Sequence, residues 1–464
     1  MVTTERRRLL VAALVAAVTV TGAVVVVARS GGDSERDPVD PAWVGTEFPT
    51  PTAAPEPTAS AGAPVLAWSL DAAEVYGRAF AQFRDPRYGT EFDWDSPGFI
   101  EAGDTVVTAI GLPDPRGYSL DETMFVGVDT GDGTVRWRTP VGTLGGCAEI
   151  LIKRELVCHR GIGEHALAVV NVDSGALTEM PVPDEWSIFG IAADGDRVVV
   201  VEGNPEDNDV EVHAGPPAAP GSAWTSRFDI GDVWESVAED AVIQVEQGVG
   251  VIAMGGDVVG FDPATGRQTW SRGLPECVGD PRIAPPGLVV VTRSGCDDGE
   301  SRGFDVIDRF GRSLVTTDTG SPGRVLVDES ADGMPLVVGG AAHDRESGEM
   351  LWRSDELDGS SGVAVTDRVV VVRGREAIGV DPDAGRILWR TELDEDAESL
   401  LRGGDGLVVV GSRVLTGIDP ETGRIRWTLP PDAVGTGDSL SGASVGLAGG
   451  RLILTGGRAM VGLT

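Results

Sequence analysis

A nine-residue phrase, Asp-x-x-x-Gly-x-x-x-Trp, recurs along this chain and limits its fold more than any other feature. The last three copies lie 37 and 38 residues apart. The five copies are Asp129–Trp137, Asp262–Trp270, Asp344–Trp352, Asp381–Trp389 and Asp419–Trp427. A repeat of about 40 residues that contains several short strands is typical of a β-propeller or another repeat array.

Each copy predicts a strand, a turn and a second strand. The run Val259-Gly260-Phe261 is the strand before one turn, and Asp262 can accept hydrogen bonds from backbone N–H groups within that turn. The glycine of the phrase supplies a residue with positive φ. A tryptophan that recurs once per unit is most simply a wedge between neighbouring sheets, because its large apolar surface needs burial. We therefore assign blade docking to Trp68, Trp137, Trp270, Trp352, Trp389 and Trp427, with a ring of stacking platforms for sugars or quinones as the alternative.

The two ends of the chain complement each other. The run Val461-Gly462-Leu463 matches the strand before a turn and then stops, whereas Val65-Leu66-Ala67-Trp68 matches a tryptophan strand with nothing before it. The N-terminal strand should thus complete the last blade, which removes exposed sheet edges. The sequence predicts an all-β fold, a closed β-propeller of four-stranded antiparallel blades. Tryptophan-equivalent positions number nine, but we expect eight blades because that is the commoner arrangement.

The N-terminal segment predicts a membrane anchor. Residues 9–28 carry no charge, and twenty helical residues span about 30 Å, the thickness of a bilayer core. Arginines at 6, 7 and 8 place residues 1–8 in the cytoplasm and the propeller outside the cell membrane. Residues 29–63, rich in Pro, Thr and Ala, predict a disordered linker, and residues 64–464 form the propeller. A cleaved signal peptide is the alternative for this single-pass anchor.

Four cysteines occur in the chain, and an even number outside the cytoplasm suggests disulfides. Cys147 and Cys158 flank an apparent hairpin, and Cys277 and Cys296 flank another strand. These two pairs are therefore the disulfide candidates. The alternative is a metal site, but no Cys-x-x-Cys spacing exists and the four histidines are scattered, so we predict none.

The chain is strongly acidic, with 73 acidic and 37 basic residues and a net charge of −36. Nucleic acid is excluded as a partner, since phosphate binding needs a basic surface. We expect the acidity to serve solubility. The alternative is that the electrostatic field steers a cationic ligand or partner.

The repeats also resemble a known family. The phrase Val-Gly-Phe-Asp-Pro-x-Thr-Gly-Arg-x-x-Trp at Val259–Trp270, modified at Thr416–Trp427, is similar to the tryptophan-docking repeat of pyrroloquinoline-quinone-type β-propellers. The resemblance covers residues 64–464 and implies their fold. The family includes quinoprotein alcohol dehydrogenases, and also non-catalytic members such as the propeller scaffold of the outer-membrane barrel assembly machine and sensor ectodomains.

The resemblance implies little catalytic chemistry here. Enzymes of the family use a calcium ion, an Asp base, Glu and Asn metal ligands, and a disulfide between adjacent cysteines over the quinone. No two cysteines are adjacent in this chain, and the blade units lack the large insertions of those enzymes. We therefore expect a non-catalytic, membrane-anchored member with no catalytic residue and no cofactor. The barrel-assembly scaffold is a lipoprotein, and no acylated cysteine follows the anchor here.

Two classes of function stay open. The first is a membrane-tethered extracytoplasmic scaffold that binds a protein partner or ligand in the cell envelope. The second is an exported quinone-dependent dehydrogenase-like or other small-molecule enzyme, which would need pyrroloquinoline quinone and calcium. Aromatic residues concentrate in the long insertion Ser69–Trp94 and are candidates for a binding face: Tyr76, Phe80, Phe83, Tyr88, Phe92 and Trp94. Packing of the insertion onto the ring is the alternative for these side chains.

Overall fold

The computed structural model describes residues 62–464, apart from gaps within that range. The gaps are 91–96, 115–118, 162–163, 184–186, 205–208, 229, 231–241, 255, 275, 279–280, 285–286, 297–298, 319–324, 328–332, 358, 361, 366–367, 404–405, 431–439 and 441. The described residues belong to one compact unit, Pro57–Thr464. The predicted anchor at 9–28 lies outside them, and within them no helix is long and apolar enough to cross a membrane.

The described strands form nine sheets, which are the blades of a propeller. Blade 1 holds β2 (Gln82–Arg84), β3 (Ile100–Glu101), β4 (Thr105–Pro113), β5 (Leu120–Asp129) and β6 (Val135–Pro140). Blade 2 holds β7 (Leu144–Cys147), β8 (Glu155–Arg160), β9 (Ala166–Asn171) and β10 (Leu177–Pro181). Blade 3 holds β11 (Ile188–Asp194), β12 (Arg197–Asn204), β13 (Asp209–Gly215) and β14 (Trp224–Phe228).

Blade 4 keeps the four-stranded pattern, whereas blades 5 and 6 are less regular. Blade 4 holds β15 (Val242–Glu246), β16 (Val249–Met254), β17 (Asp257–Phe261) and β18 (Gln268–Gly273). Blade 5 holds β19 (Cys277–Val278), β20 (Arg282–Ala284), β21 (Leu288–Ser294), β22 (Ser301–Ile307) and β23 (Ser313–Thr317). The strand β24 (Val325–Val327) pairs in parallel with blade 7, so blade 6 holds three described strands, β25 (Leu336–Val338), β26 (Ala341–His343) and β27 (Met350–Arg353).

The last three blades each contain four antiparallel strands, to which β24 adds a parallel fifth in blade 7. Blade 7 holds β28 (Gly362–Val365), β29 (Val369–Arg373), β30 (Glu376–Val380) and β31 (Ile387–Glu392). Blade 8 holds β32 (Ala397–Gly403), β33 (Gly406–Gly411), β34 (Leu415–Ile418) and β35 (Ile425–Leu429). Blade 9 holds β36 (Ser444–Ala448), β37 (Arg451–Thr455), β38 (Ala459–Leu463) and β1 (Leu66–Asp71). Three short helices lie between strands, α1 (Ala72–Tyr76), η1 (Pro86–Tyr88) and η2 (Asp355–Leu357).

The predicted architecture is confirmed, but the expected blade number is wrong. The structure has nine blades, as the tryptophan-equivalent positions indicate, and not the eight expected from frequency. The error arose because the commoner arrangement was preferred to the count of nine, which includes units without the phrase. Blade 3 is such a unit: it lacks the Asp-x-x-x-Gly turn yet pairs four strands in a complete antiparallel ladder. The hydrogen-bonded ladder and the buried valines build a blade without the phrase.

The N-terminal strand completes the last blade, as the sequence predicted. Strand β1 pairs antiparallel with β38, and Trp68 lies opposite Gly462. Nine hydrophobic clusters fill the nine interfaces between consecutive blades. One of them joins Ile453 and Met460 of blade 9 to Val106 of blade 1, so the ring closes through side-chain packing.

Candidate interaction surface

The repeated tryptophans lie between blades. Each indole of Trp68, Trp137, Trp270, Trp389 and Trp427 packs on a glycine of the third strand in its own blade, where a Cβ would lie 2.1–2.3 Å from the ring. A turn glycine of the following blade packs against the ring of Trp68, Trp137, Trp270, Trp352 and Trp389. Where glycines cover both faces of an indole, those faces are not available to stack on a sugar or a quinone.

The indole nitrogens hydrogen bond across the blade interfaces. Nε1 donates to the carbonyl of the residue after the turn Asp or Asn of the next blade, at Trp68–Thr130 (2.9 Å), Trp137–Val172 (2.9 Å), Trp352–Pro382 (2.7 Å) and Trp389–Pro420 (3.2 Å). Trp224, which the phrase does not include, makes the same bond to Pro263 (3.0 Å). Trp270 has no acceptor among the described residues. The turn that follows it, Asp308–Gly311, is one residue shorter than the others.

The cysteines form the two predicted disulfides, Cys147–Cys158 and Cys277–Cys296. All four thiols are thereby used in bridges between residues that are distant in sequence. The quinone enzymes instead have a disulfide between adjacent cysteines, so these bridges do not fit that pattern.

The aromatic insertion begins with a short capped helix. Asp71 accepts a hydrogen bond from the backbone N–H of Glu74 (3.0 Å) and caps α1, and Gly77 ends the helix with a φ of 81°. The helix packs on the propeller through the buried side chains of Ala72 and Val75. The insertion therefore has a fixed position relative to blade 1, to which its strand β2 belongs.

The structure divides the insertion aromatics into two groups. Phe83 is completely buried in the core between blades 9 and 1, and Tyr76 packs against that core while its hydroxyl donates to the carbonyl of Glu122 (2.8 Å). Phe80 and Tyr88 point to solvent, with 73% and 56% of their surface exposed. Phe92 and Trp94 lie outside the described residues.

Phe80 also has an unusual backbone. Its φ is 68°, in the left-handed region that large side chains rarely adopt. Close by, Arg78 forms an ion pair with Glu122 (2.7 Å), itself a positive-φ residue at an irregularity of the β4–β5 pairing. Such conformations cost about 1–3 kcal/mol each and persist where the surroundings enforce them. We call Arg78, Phe80 and Tyr88 the insertion surface.

Tyr88 is held by its neighbours as well. Asp85 caps η1 by accepting from the backbone N–H of Arg87 (3.0 Å), and its carboxylate also accepts from the Arg87 guanidinium (Nε 3.0 Å). The Asp85 side chain is only 3% exposed, so the pair is well shielded from water. Farther along, Thr90 bonds to Leu144 of blade 2 through its backbone N–H (2.8 Å). The segment that presents Tyr88 is thus anchored between two blades.

A second group of exposed apolar residues escaped the sequence analysis. Phe310, Met350, Leu351 and Leu388 on blades 5 to 7 are 42–77% exposed. The two leucines occupy the position before the repeat tryptophan, where Arg426 of blade 8 instead forms an ion pair with the turn residue Asp419 (2.8 Å). A comparison of that one position among the copies would have revealed the difference.

One group of side chains has a geometry that could ligate a metal, although the sequence analysis predicted no metal site. Glu202, Glu211 and His213 of blade 3 each offer one ligand atom, and these atoms lie within 4.8 Å of one another. No other such group of three occurs among the residues that the structure describes. The group was missed because its members lie on two strands whose register the sequence does not reveal.

Comparisons with known proteins agree with the repeats. Residues 338–463 match the family model described as outer membrane protein assembly factor BamB, which has PQQ-type repeats, and this match confirms the family resemblance. No curated protein matches. Similar solved structures include BamB from Moraxella catarrhalis (12% identity, TM-score 0.43, covering 81% of this chain and 98% of that one). Others are Saccharomyces cerevisiae Sqt1 (12%, 0.47, 87% and 99%) and the computationally designed protein Ika8 (12%, 0.47, 82% and 100%).

Proposed function

We propose that this chain, which is a pyrroloquinoline-quinone-like repeat β-propeller, is a membrane-tethered scaffold that binds a protein partner in the cell envelope through the insertion surface. One observation carries the proposal. Phe80 exposes 73% of a large aromatic side chain and does so from a left-handed backbone conformation.

Both properties of Phe80 cost stability. An aromatic side chain left in water forgoes about 1.5–3 kcal/mol of burial energy. A left-handed backbone at a residue with a Cβ costs roughly another 1–2 kcal/mol. Glycine would remove both costs at this position, so the aromatic residue is best explained by a role outside the fold. Exposed aromatic residues on a fixed backbone are typical binding hot spots.

The matched family model and the net charge favour a protein as the partner. The matched family model describes an assembly factor for outer membrane proteins, and such a role requires contact with other proteins. The net charge of −36 opposes binding to anionic polymers and anionic lipid surfaces. We infer a partner with an apolar pocket for Phe80 and a carboxylate or carbonyl rim for Arg78.

The tether is part of the same proposal. Residues 9–28 are apolar and uncharged, and residues 29–63 between them and the propeller are rich in Pro, Thr and Ala. An extended chain of that composition reaches about 3 Å per residue, which allows the propeller to meet its partner some tens of Å from the membrane. Tethering raises the effective concentration of partner and propeller on one surface.

The test uses full-length protein in its native membrane. A photo-crosslinking benzoylphenylalanine replaces Phe80 in one strain and Phe310 in another, because Phe310 is equally exposed (77%) but lies on blade 5. We expect one protein to crosslink in stoichiometric amounts from position 80 and not from position 310. Equal yields from both positions, or no crosslinked protein, would refute the assignment of the surface.

A pair of substitutions separates binding from folding. Phe80→Gly should keep or raise the thermal unfolding midpoint, since glycine accepts the left-handed backbone, while partner capture falls about tenfold or more. Phe310→Gly serves as the matched control and should leave capture unchanged. If Phe80→Gly captures the partner as well as the wild type does, the insertion surface is not the binding site.

A further inference from the structure

We propose that Glu202, Glu211 and His213 form a binding site for a divalent transition-metal cation of the zinc class, with two carboxylates and one imidazole as ligands. The inference does not depend on the scaffold function. It concerns blade 3, whereas the insertion surface belongs to blade 1.

The sheet itself brings the three ligands together. Glu202 on β12 lies directly opposite Glu211 on β13, and Val200 lies opposite His213. Alternation along a strand therefore puts all three side chains on one face. It is the face on which Val200 packs against blade 2, because Val200 belongs to the hydrophobic cluster shared by those two blades. Ligands on paired strands are held more rigidly than ligands on loops.

The spacing suits a shared cation better than a direct hydrogen bond. Nε2 of His213 lies 3.4 Å from Oε1 of Glu202, beyond the usual N–H···O range of about 2.7–3.2 Å. Two ligands of a tetrahedral zinc ion with bonds of about 2.0–2.1 Å are roughly 3.3–3.4 Å apart. The observed separation matches that edge.

Outer contacts orient the ligands. Nδ1 of His213 lies 3.0 Å from Oγ1 of Thr225 on β14, which fixes the ring and turns Nε2 toward Glu202. Arg227, on the same strand, donates to Oε1 of Glu211 from Nε (3.1 Å) and Nη2 (2.7 Å). Hydrogen bonds to the outer atoms of ligating groups are a regular part of metal sites.

The charge and burial of the three ligands also favour a bound cation. The side chains of His213 and Glu202 are 3% and 10% exposed, so the Glu202 carboxylate has lost most of its water. A buried carboxylate is costly unless it is paired. Among the described residues, Arg227 bonds to Glu211 and is 60% exposed. A divalent cation would pair with the Glu202 carboxylate.

The donor set identifies the class of metal. Calcium takes about 6–8 oxygen ligands and magnesium prefers an octahedron of oxygens, whereas an imidazole with two carboxylates suits zinc and its first-row neighbours. Three protein ligands leave a fourth position for water or another group.

The test measures zinc and cobalt binding to full-length protein stripped with a chelator. We expect one saturable zinc per chain, measured by elemental analysis, a higher unfolding midpoint with zinc, and visible absorption bands of tetrahedral Co²⁺ when cobalt replaces it. Glu202→Gln and His213→Gln should each lower the zinc affinity at least tenfold and abolish the cobalt bands. Thr225→Val should lower the affinity about tenfold or more through the lost orienting contact.

The control is His343→Gln, because His343 is a buried histidine whose ring contacts the carbonyl oxygen of Gly348 and which lies outside the cluster. It should bind zinc as the wild type does. Each variant is compared with wild type by its metal-free circular dichroism, and if His213→Gln fails to fold, the isosteric Glu202→Gln decides. Zinc binding that is unchanged in Glu202→Gln, or no saturable binding to the wild type, overturns the proposal.

Discussion

Replacement of tryptophan by phenylalanine should cost much more at Trp137 than at Trp270. The two indoles are matched in packing, with exposures of 9% and 8%, and each lies on a glycine of its own blade. They differ at Nε1, which donates to Val172 from Trp137 (2.9 Å) but has no acceptor among the described residues at Trp270.

The magnitude follows from that difference. Both substitutions lose a similar ring area, so this cost cancels in the comparison. Trp137→Phe also loses a hydrogen bond with a net value of about 1 kcal/mol and leaves the Val172 carbonyl without its partner. Trp270→Phe removes a buried N–H group and recovers roughly 1–3 kcal/mol of desolvation. We therefore expect Trp137→Phe to lower the free energy of unfolding by about 2–4 kcal/mol more than Trp270→Phe does.

The assay is equilibrium unfolding in guanidinium chloride, followed by tryptophan fluorescence and far-UV circular dichroism. The midpoints are comparable only if the slopes of the transitions agree, because a changed slope indicates a changed unfolding unit. Trp389→Phe, which loses a bond to Pro420 (3.2 Å), should behave like Trp137→Phe. Equal costs at Trp137 and Trp270 would refute the reasoning that the interface hydrogen bond matters.

Two further predictions concern blade 2 and the repeat turns. His159 is buried, and burial lowers its pKa to about 4 from the ordinary 6.5. The stability from its neutral form is therefore present above pH 6.5 and is lost as the pH falls toward 4. The loss should reach about 3 kcal/mol, and His159→Phe should remove this part of the pH dependence of unfolding. Gly423→Ala should destabilise by roughly 1–3 kcal/mol more than Gly442→Ala in thermal unfolding, because both glycines have positive φ (71° and 75°) but only at Gly423 would a Cβ lie 2.3 Å from the Trp389 ring. Equal effects of the two alanines would show that the interface tolerates the methyl group.

Much of the fold follows from local chemistry in the sequence. The turn Asp fixes its own turn, as when Asp419 accepts from the backbone N–H of Glu421 and Thr422 (3.0 Å each), and that pattern is readable from the phrase. The closing strand was readable too, because the ends contain complementary parts of one unit. The blade number was misjudged because the commoner number, eight, was preferred to the count of nine. Blade 3 has no phrase to support that count, since it is built by strand pairing and buried valines such as Val200.

The candidate sites depend on properties that the sequence does not contain. Aromatic content marked the insertion, but whether a ring is buried like Phe83 or exposed like Phe80 depends on how the helix α1 docks on blade 1. The cluster of Glu202 and His213 depends on the register of β12 against β13. A shift of one residue would move one strand's ligands to the opposite face. Sequence patterns identify such residues only after the pairing is known.

The two candidate sites lie where the repeat is interrupted, and this follows from how the ring is built. In a regular unit the tryptophan contacts the next blade, the turn glycine packs on the tryptophan of the preceding blade, and the turn Asp accepts hydrogen bonds within its own turn. A change in any of them therefore costs stability. Residues available for binding must therefore come from other positions. Phe80 belongs to an insertion before the first full unit, and His213 to a blade whose turn is rich in proline in place of Asp-x-x-x-Gly.

Grafting a regular turn into blade 3 in place of residues 216–223 should thus preserve the propeller. It would change zinc affinity only if it moved Thr225 away from His213.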